Sequence, residues 1–308
     1  MANENRQLPR GFIEAVAGFV AGIASTLVAH PLDVIKTRLQ VDRESPSQFG
    51  SSLRLVQRIV RNEGTISALY RGLTPNLVGS SLSWALYFVW YDRTKHWIRS
   101  YRGSDNGGLS YYDFFIASGT AGVLTAVATN PIWVIKTRML STSSSHPGAY
   151  KSTLDGTRQL YRSEGLLGFY RGLVPSLFGV SHGALQFMAY EQLKIYRGHS
   201  FDGGQKDLGV ADFLMLSGLA KTFAGSATYP YQVVRARLQM YDADSTYKSA
   251  RDVVAQMWRK EGLAGFYKGL GPNLLRVMPS TWVTFLVYEK SKVLLARMLE
   301  ERSQLWSR

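Results

Sequence analysis

The sequence predicts an all-α membrane protein: six transmembrane helices in a threefold pseudosymmetric bundle, made of three helix–loop–short helix–helix repeats. Three observations lead there. Three short motifs recur in the same order at a period near 100 residues. The segments between them run apolar for long stretches without the alternation of a β-strand. Basic residues gather in the polar connections and leave the apolar runs almost free of charge.

The first motif reads HPLDVIKTRLQ from His30, NPIWVIKTRML from Asn130 and YPYQVVRARLQ from Tyr229. Its prolines, Pro31, Pro131 and Pro230, lie 100 and 99 residues apart. The second reads EGTISALYRG from Glu63, EGLLGFYRG from Glu164 and EGLAGFYKG from Glu261. The third pairs Tyr91-Asp92 with Lys95, Tyr190-Glu191 with Lys194 and Tyr288-Glu289 with Lys292. Ordered motifs tripled in this way define repeats over 1–103, 104–203 and 204–308. The period is too long for a stacked solenoid and suits a closed threefold bundle.

Taken in order, Phe12 to Ala29 is rich in Ala, Gly and Val, with Glu14 its one charge. Phe114 to Thr129 carries no charge, and Leu208 to Thr228 only Asp212 and Lys221. Each reaches bilayer length once the motif after the proline continues the helix. The even-numbered helices are expected over Leu73 to Arg99, Leu173 to Arg197 and Leu270 to Arg297, where Ser, Asn, His and Gln interrupt the apolar runs. Such helices face lipid or neighbours on one side and water on the other, in keeping with a mean hydropathy of only −0.09. Gly18 and Gly22 have the four-residue spacing that lets membrane helices approach closely. Short amphipathic helices, such as Leu53–Arg61 and Arg251–Arg259, are expected between the spans. A soluble helical repeat protein is the alternative.

The chain has 308 residues and a formal net charge of +14. Twenty of its 36 basic residues lie in 36–71, 136–171 and 235–268, all on one side of the expected membrane. The positive-inside bias makes that the matrix side if the membrane is the inner mitochondrial one, and an even helix count puts both termini opposite. A solvated or cardiolipin-facing surface explains this charge better than nucleic acid does. No cysteine is present, so neither disulfide nor thiolate chemistry is open. The N-terminal MANENRQLPRG lacks a signal pattern and is too short for a transit peptide. Walker A, a strand-linked GxGxxG and metal-ligand spacing are all missing, which argues against an enzyme and against a metal or cofactor.

The tripled motifs resemble the mitochondrial carrier family across essentially the whole chain. The resemblance implies a water-filled cavity with access alternating between a matrix gate and a cytoplasmic gate, in a monomer of the mitochondrial inner membrane. Proline steers each odd helix toward the axis, and the acid and base three residues apart share one helix face. Around the axis an acid of one repeat can pair with the base of the next. At the matrix gate only Asp33 with Lys136 is complete, because Trp133 and Gln232 replace the other acids. Arg235 then faces Trp133 as a cation–π pair, and Lys36 faces Gln232. The bracing glutamine is present as Gln40 and Gln239 and is Leu140 in repeat two. The cytoplasmic gate is complete: Asp92–Lys194, Glu191–Lys292 and Glu289–Lys95. Three pairs against one predict an empty protein that rests open to the matrix. Trp133 can also serve as an interfacial or packing aromatic.

The Pro-Ile-Trp variant resembles carriers of pyrimidine nucleotides, NAD, FAD and folate. LFGVSHGALQFMAYEQLK and ATYPYQVVRARLQ look most like the folate and FAD carriers. The family's contact points fall on Gly79, Phe178 and Arg276, and their helix faces continue through Ser83 and Tyr87, His182 and Gln186, Ser280 and Thr284. Arg276 can hold a phosphate or carboxylate bidentately, Phe178 or Trp84 can stack on a ring, and His182 and Gln186 are candidate donors. Helix packing is the alternative for Phe178 and His182. Lys221 stands where repeats one and two have Gly22 and Gly122. A charge there faces a cavity or a partner, or snorkels to the surface. The constellation suits an anionic aromatic substrate, FAD first, then folate, then NAD or a pyrimidine nucleotide. A non-transporting uncoupling or scaffold protein is the alternative of another class.

Overall fold

The computed structural model describes residues 10–43, 51–64, 67–102, 109–143, 146–199 and 210–306. The nine residues ahead of Arg10 and the expected repeat boundaries at 103–104 and 203–204 lie outside them. Among the described residues all regular structure is helical. The first repeat contains α1 (Arg10–Val41), α2 (Ser51–Glu63), a 3-10 turn at Ala68–Tyr70 and α3 (Leu73–Arg102). The second contains α4 (Tyr111–Ser141), α5 (Thr153–Gly168), α6 (Leu173–Leu177) and α7 (Val180–His199). The third contains α8 (Val210–Ala227), α9 (Tyr229–Gln239), α10 (Ala243–Thr246), α11 (Ala250–Gly265), α12 (Leu270–Leu275) and α13 (Val277–Trp306). The six spans are therefore α1, α3, α4, α6 with α7, α8 with α9, and α12 with α13. Ile13–Val41 and Tyr112–Ser141 are apolar enough to cross a membrane by composition alone. The others carry the polar residues expected of cavity-lining helices.

The spans close into a ring through contacts between repeats: α3 packs on α4, α7 on α8 and α13 on α1. The ends of α1, α4 and α9, which carry the proline motifs, converge on one another; we call this the signature end. α1 and α4 stay helical across Pro31 and Pro131. In repeat three the chain breaks at Thr228 (φ −93°, ψ 2°), and Pro230 falls in the first turn of α9. Proline has no N–H to give and its ring crowds the carbonyl four residues back, so a break at the preceding turn relieves both. The short helices at the signature end are capped by sequence: the Ser152 hydroxyl accepts from the Asp155 amide at 3.1 Å, and the Ser249 hydroxyl from the Asp252 amide at 3.3 Å.

The Gly18 and Gly22 expectation is corrected. A Cβ at either glycine would meet nothing within 4 Å. The buried face is instead Ala17, Ala21 and Ser25, repeated as Ala117, Ala121 and Thr125 and, with a larger side chain in the first place, as Leu216, Ala220 and Ala224. The spacing is as expected, but the stripe is rotated by one residue, about 100°. The glycine that closes each second motif does have a steric task. Gly72, Gly172 and Gly269 adopt φ of 74°, 69° and 83°, a region closed to most side chains. A Cβ on Gly172 would lie 2.9 Å from Gln239 Cγ, and one on Gly269 2.8 Å from the Lys36 carbonyl. Each of these glycines brings its connection against the next repeat in the ring.

Candidate functional site

The signature end is tied together by two threefold sets of contacts. The residue before each proline reaches the carbonyl of the basic residue in the second motif. His30 Nε2 lies 3.0 Å from the Arg71 carbonyl, Asn130 donates to that of Arg171 at 3.3 Å, and Tyr229 to that of Lys268 at 3.1 Å. The last arginine of each first motif bridges the Glu of its own repeat and a carbonyl of the next. Arg38 pairs with Glu63 (2.5 Å) and donates to the Leu140 carbonyl (3.1 Å). Arg138 pairs with Glu164 (2.6 Å) and donates to the Gln239 carbonyl (3.3 Å). Arg237 pairs with Glu261 and donates to the Gln40 carbonyl (3.0 Å). Burial alone would raise the Glu63 and Glu261 carboxyls, but the hydrogen bonds from Arg38 to Glu63 and from Arg237 and Lys268 to Glu261 outweigh it and hold both below the usual range. The sequence reading assigned no role to Arg38, Arg138 or Arg237, although their recurrence with the glutamates was visible.

Above this layer lies a cavity of about 340 Å³. Five basic side chains line it, Lys36, Lys136, Lys221, Arg235 and Arg276, against a single carboxylate, Asp33. Lys36 donates to Gln232 at 2.9 Å, the neutral partner expected, and to Asn273 at 2.8 Å. Two expected pairings are corrected. Asp33 forms its ion pair with Arg276, not Lys136. Arg276 sits where α12 gives way to α13 and reaches across to α1. Lys136, which forms no close ion pair with Asp33 among the described residues, places Nζ 4.8 Å from the Trp133 ring centroid, so Lys136 takes the cation–π position expected of Arg235. Trp133 and Lys136 are three apart on one helix, so this contact needs no movement between repeats. Trp133 Nε1 donates to Thr129 at 3.1 Å. Gln239 accepts from Thr137 at 2.9 Å and donates to the Arg171 carbonyl at 3.2 Å, whereas Gln40 Nε2 is buried without a partner.

Of the expected substrate contacts, Arg276, Lys221, Trp133, His182, Arg235 and Lys36 meet around this one cavity. A Cβ on Gly79 would crowd Ile132 Cγ2 at 3.1 Å and make ordinary contact with the Trp133 indole at 3.5 Å. Phe178, Gln186, Ser83, Tyr87 and Ser280 do not line it. Phe178 is 62% exposed where α6 gives way to α7. Ser280 is held by Ser25 at 2.8 Å in the α1–α13 interface, and Ser83 Oγ is buried without a partner. Tyr87 stacks on Tyr91 with centroids 6.0 Å apart, and Trp84 stacks on Phe88 at 5.8 Å. Thr284 is exposed. The His182 Nδ1 lies 2.9 Å from Thr228 Oγ1.

At the opposite end, none of the three expected cross-repeat pairs is formed among the described residues. Asp92 instead meets Lys95 and His96 of its own helix, both at 3.5 Å. Lys95 and Lys292 lie 4.6 and 5.9 Å from the rings of Tyr91 and Tyr288. In this structure contacts between repeats knit the signature end together, and the expected pairs at the terminal end are not formed. Counting only the acid–base pairs of the two gates left out Arg276–Asp33, the amides on Lys36 and the three Arg–Glu clamps.

A sequence model of the family described as "Mitochondrial carrier protein" matches the chain over residues 10–102, 107–200 and 206–299. The chain is similar to Folate transporter 1, chloroplastic, of Arabidopsis thaliana (40% identical over 89% of this chain and 92% of the relative). It is also similar to Nicotinamide adenine dinucleotide transporter 1, chloroplastic, of the same plant (39%, over 89% of each). The mitochondrial FAD carrier protein FLX1 of Saccharomyces cerevisiae is 36% identical over 91% of this chain and 96% of the relative.

Proposed function

The chain belongs to the mitochondrial carrier family, and from that premise we propose that it carries FAD or a related flavin across the mitochondrial inner membrane by alternating access. The observation that supports this reading most is the charge of the cavity. Five cations face one carboxylate, and that carboxylate is already paired with Arg276. Such a site attracts an anion and repels a cation. A diphosphate offers fixed charge to Arg276, Lys221 and Arg235, and Trp133 offers a ring to stack on. When a phosphate takes Arg276 it releases Asp33, which Lys136 already influences electrostatically. Substrate arrival thus rearranges the contacts of the signature gate itself. On this reading the signature end is the matrix gate, Asp92, Lys95, Glu191, Lys194, Glu289 and Lys292 form the cytoplasmic gate, and both termini face the intermembrane space. The carrier acts as a monomer, with cardiolipin against its basic connections.

Folate is the second reading. Its carboxylates and single pterin suit the same constellation, and one relative is a folate transporter. The test is uptake by protein-containing liposomes of FAD, FMN, riboflavin, folates, NAD and pyrimidine nucleotides. FAD uptake above that of empty liposomes is expected. Uptake of NAD or a pyrimidine nucleotide without flavin or folate would overturn the assignment, and exchange of no solute at all would favour a scaffold role.

A further inference from the structure

The cavity is walled almost entirely by donors, which makes an acceptor there informative. In this structure one oxygen of its carboxylate and several of its amide oxygens are occupied among the described residues. Asp33 Oδ1 is held by Arg276, and the Gln232 and Asn273 oxygens by Lys36. Thr37 and Tyr231 present hydroxyls, which can donate. His182 is different. Thr228 Oγ1 donates its one proton to the Ala224 carbonyl at 2.6 Å, so across the 2.9 Å contact it can only accept from His182 Nδ1. With the proton of the neutral ring fixed on Nδ1, Nε2 is left as a pure acceptor. His182 lines the cavity, and the side-chain contact of its ring is made from Nδ1, to Thr228. Lys221, a donor, lines the same cavity from the neighbouring α8.

We infer that His182 is a specificity-determining residue that accepts a hydrogen bond from a ring N–H of the substrate, while Lys221 donates to the adjoining carbonyl. The inference rests on the flavin reading and deepens it. A phosphate has no use for an acceptor, so the pair reads the heterocycle. An alternation of carbonyl and N–H is the edge that a cyclic imide presents, and the isoalloxazine ring carries one. This reverses the donor role expected for His182. The α7–α8 wall would then hold the ring edge, leaving Arg276 and Arg235 for the phosphates.

The test compares FAD with its N3-methyl derivative, which keeps every charge and the adenine amino group and loses the one N–H of the isoalloxazine ring. In wild-type protein the methyl derivative is expected to bind roughly tenfold more weakly, the loss of one hydrogen bond plus a buried acceptor left unmet. His182→Asn keeps a donor for Thr228 and removes the cavity acceptor, so it should bind the two flavins alike. His182→Gln loses the Thr228 contact but returns an amide oxygen near the Nε2 position, so it should keep the discrimination. A purely structural role predicts the reverse order of the two variants. Binding of FAD with no discrimination by the wild type, or with undiminished discrimination by His182→Asn, overturns this inference and leaves the flavin reading standing. Failure of the wild type to bind any flavin overturns both.

Discussion

Arg276 carries two contacts that cannot both be kept: the Asp33 carboxylate it holds now and the substrate phosphate proposed for it. Removing it should therefore act on binding and on the gate together. Arg276→Ala is expected to abolish FAD uptake while the protein stays folded, since a charge-assisted hydrogen bond of about 1.5–3 kcal/mol is lost. Arg276→Lys keeps the charge without the planar fork and should recover uptake only in part. Wild-type uptake by the lysine variant would rule out bidentate recognition. The sequence had marked Arg276 as the fixed cation of the substrate site, and the structure adds that its resting partner is a gate acid.

Among the elements, the connections at the signature end join each repeat to the next through glycine geometry and the Arg–Glu clamps. Gly172 has φ 69° and faces Gln239 Cγ at 2.9 Å for any added Cβ. Gly172→Ala should cost about 1–2 kcal/mol for the backbone conformation alone, before any clash. Thermal unfolding of purified protein should show a clear fall in midpoint, and an unchanged midpoint would mean that the connection is free to move. The clamps set an acid limit. Glu63 and Glu261 have carboxyls held below the usual range in the folded protein. Their stabilisation is therefore complete above the unfolded carboxylate value and is lost as pH falls through the lower folded one. Stability should hold near neutrality and decline in acid below about pH 4.3. Glu261→Gln should flatten that decline, and a variant with the wild-type acid profile would assign it to other carboxylates.

At the scale of the whole molecule, closure of one end and opening of the other are alternatives shared by all three repeats. Signature-end contacts cross from each repeat to the next, while at the terminal end Asp92 is turned to its own helix. A single cysteine at Thr284, which is exposed, should react with an impermeant thiol reagent added on the terminal side of the empty carrier. The absence of native cysteine makes the signal clean. Replacing Trp133 with Asp and Gln232 with Glu puts one carboxylate beside Lys36 and another into the cavity that Lys136 and Arg235 line. Each pair is worth only about 0–1 kcal/mol if exposed, so the closed signature end should gain several-fold in population and exchange should slow accordingly. Faster exchange with intact folding, or labelling of Thr284→Cys from the signature side alone, would contradict this account.

The sequence by itself determined the threefold architecture, the order of its spans and the cation-rich character of the site. Those follow from motifs that repeat and from charge placed in apolar helices, both local properties of the chain. It also grouped Arg276, Lys221, Trp133, His182, Arg235 and Lys36, which the structure gathers at one cavity, with Phe178, Gln186, Ser83, Tyr87 and Ser280, which it does not. The tertiary structure decided which partners these residues take. Asp33 had Lys136 as its neighbour by symmetry, yet Arg276 wins it from the α12–α13 break. The stripe of Ala17, Ala21 and Ser25 is buried in place of Gly18 and Gly22 because helix rotation, which spacing does not specify, turns one face inward. The His182 proton is placed by Thr228 on another helix. Partner choice depends on angles and distances between helices, and a pattern along one chain does not contain them.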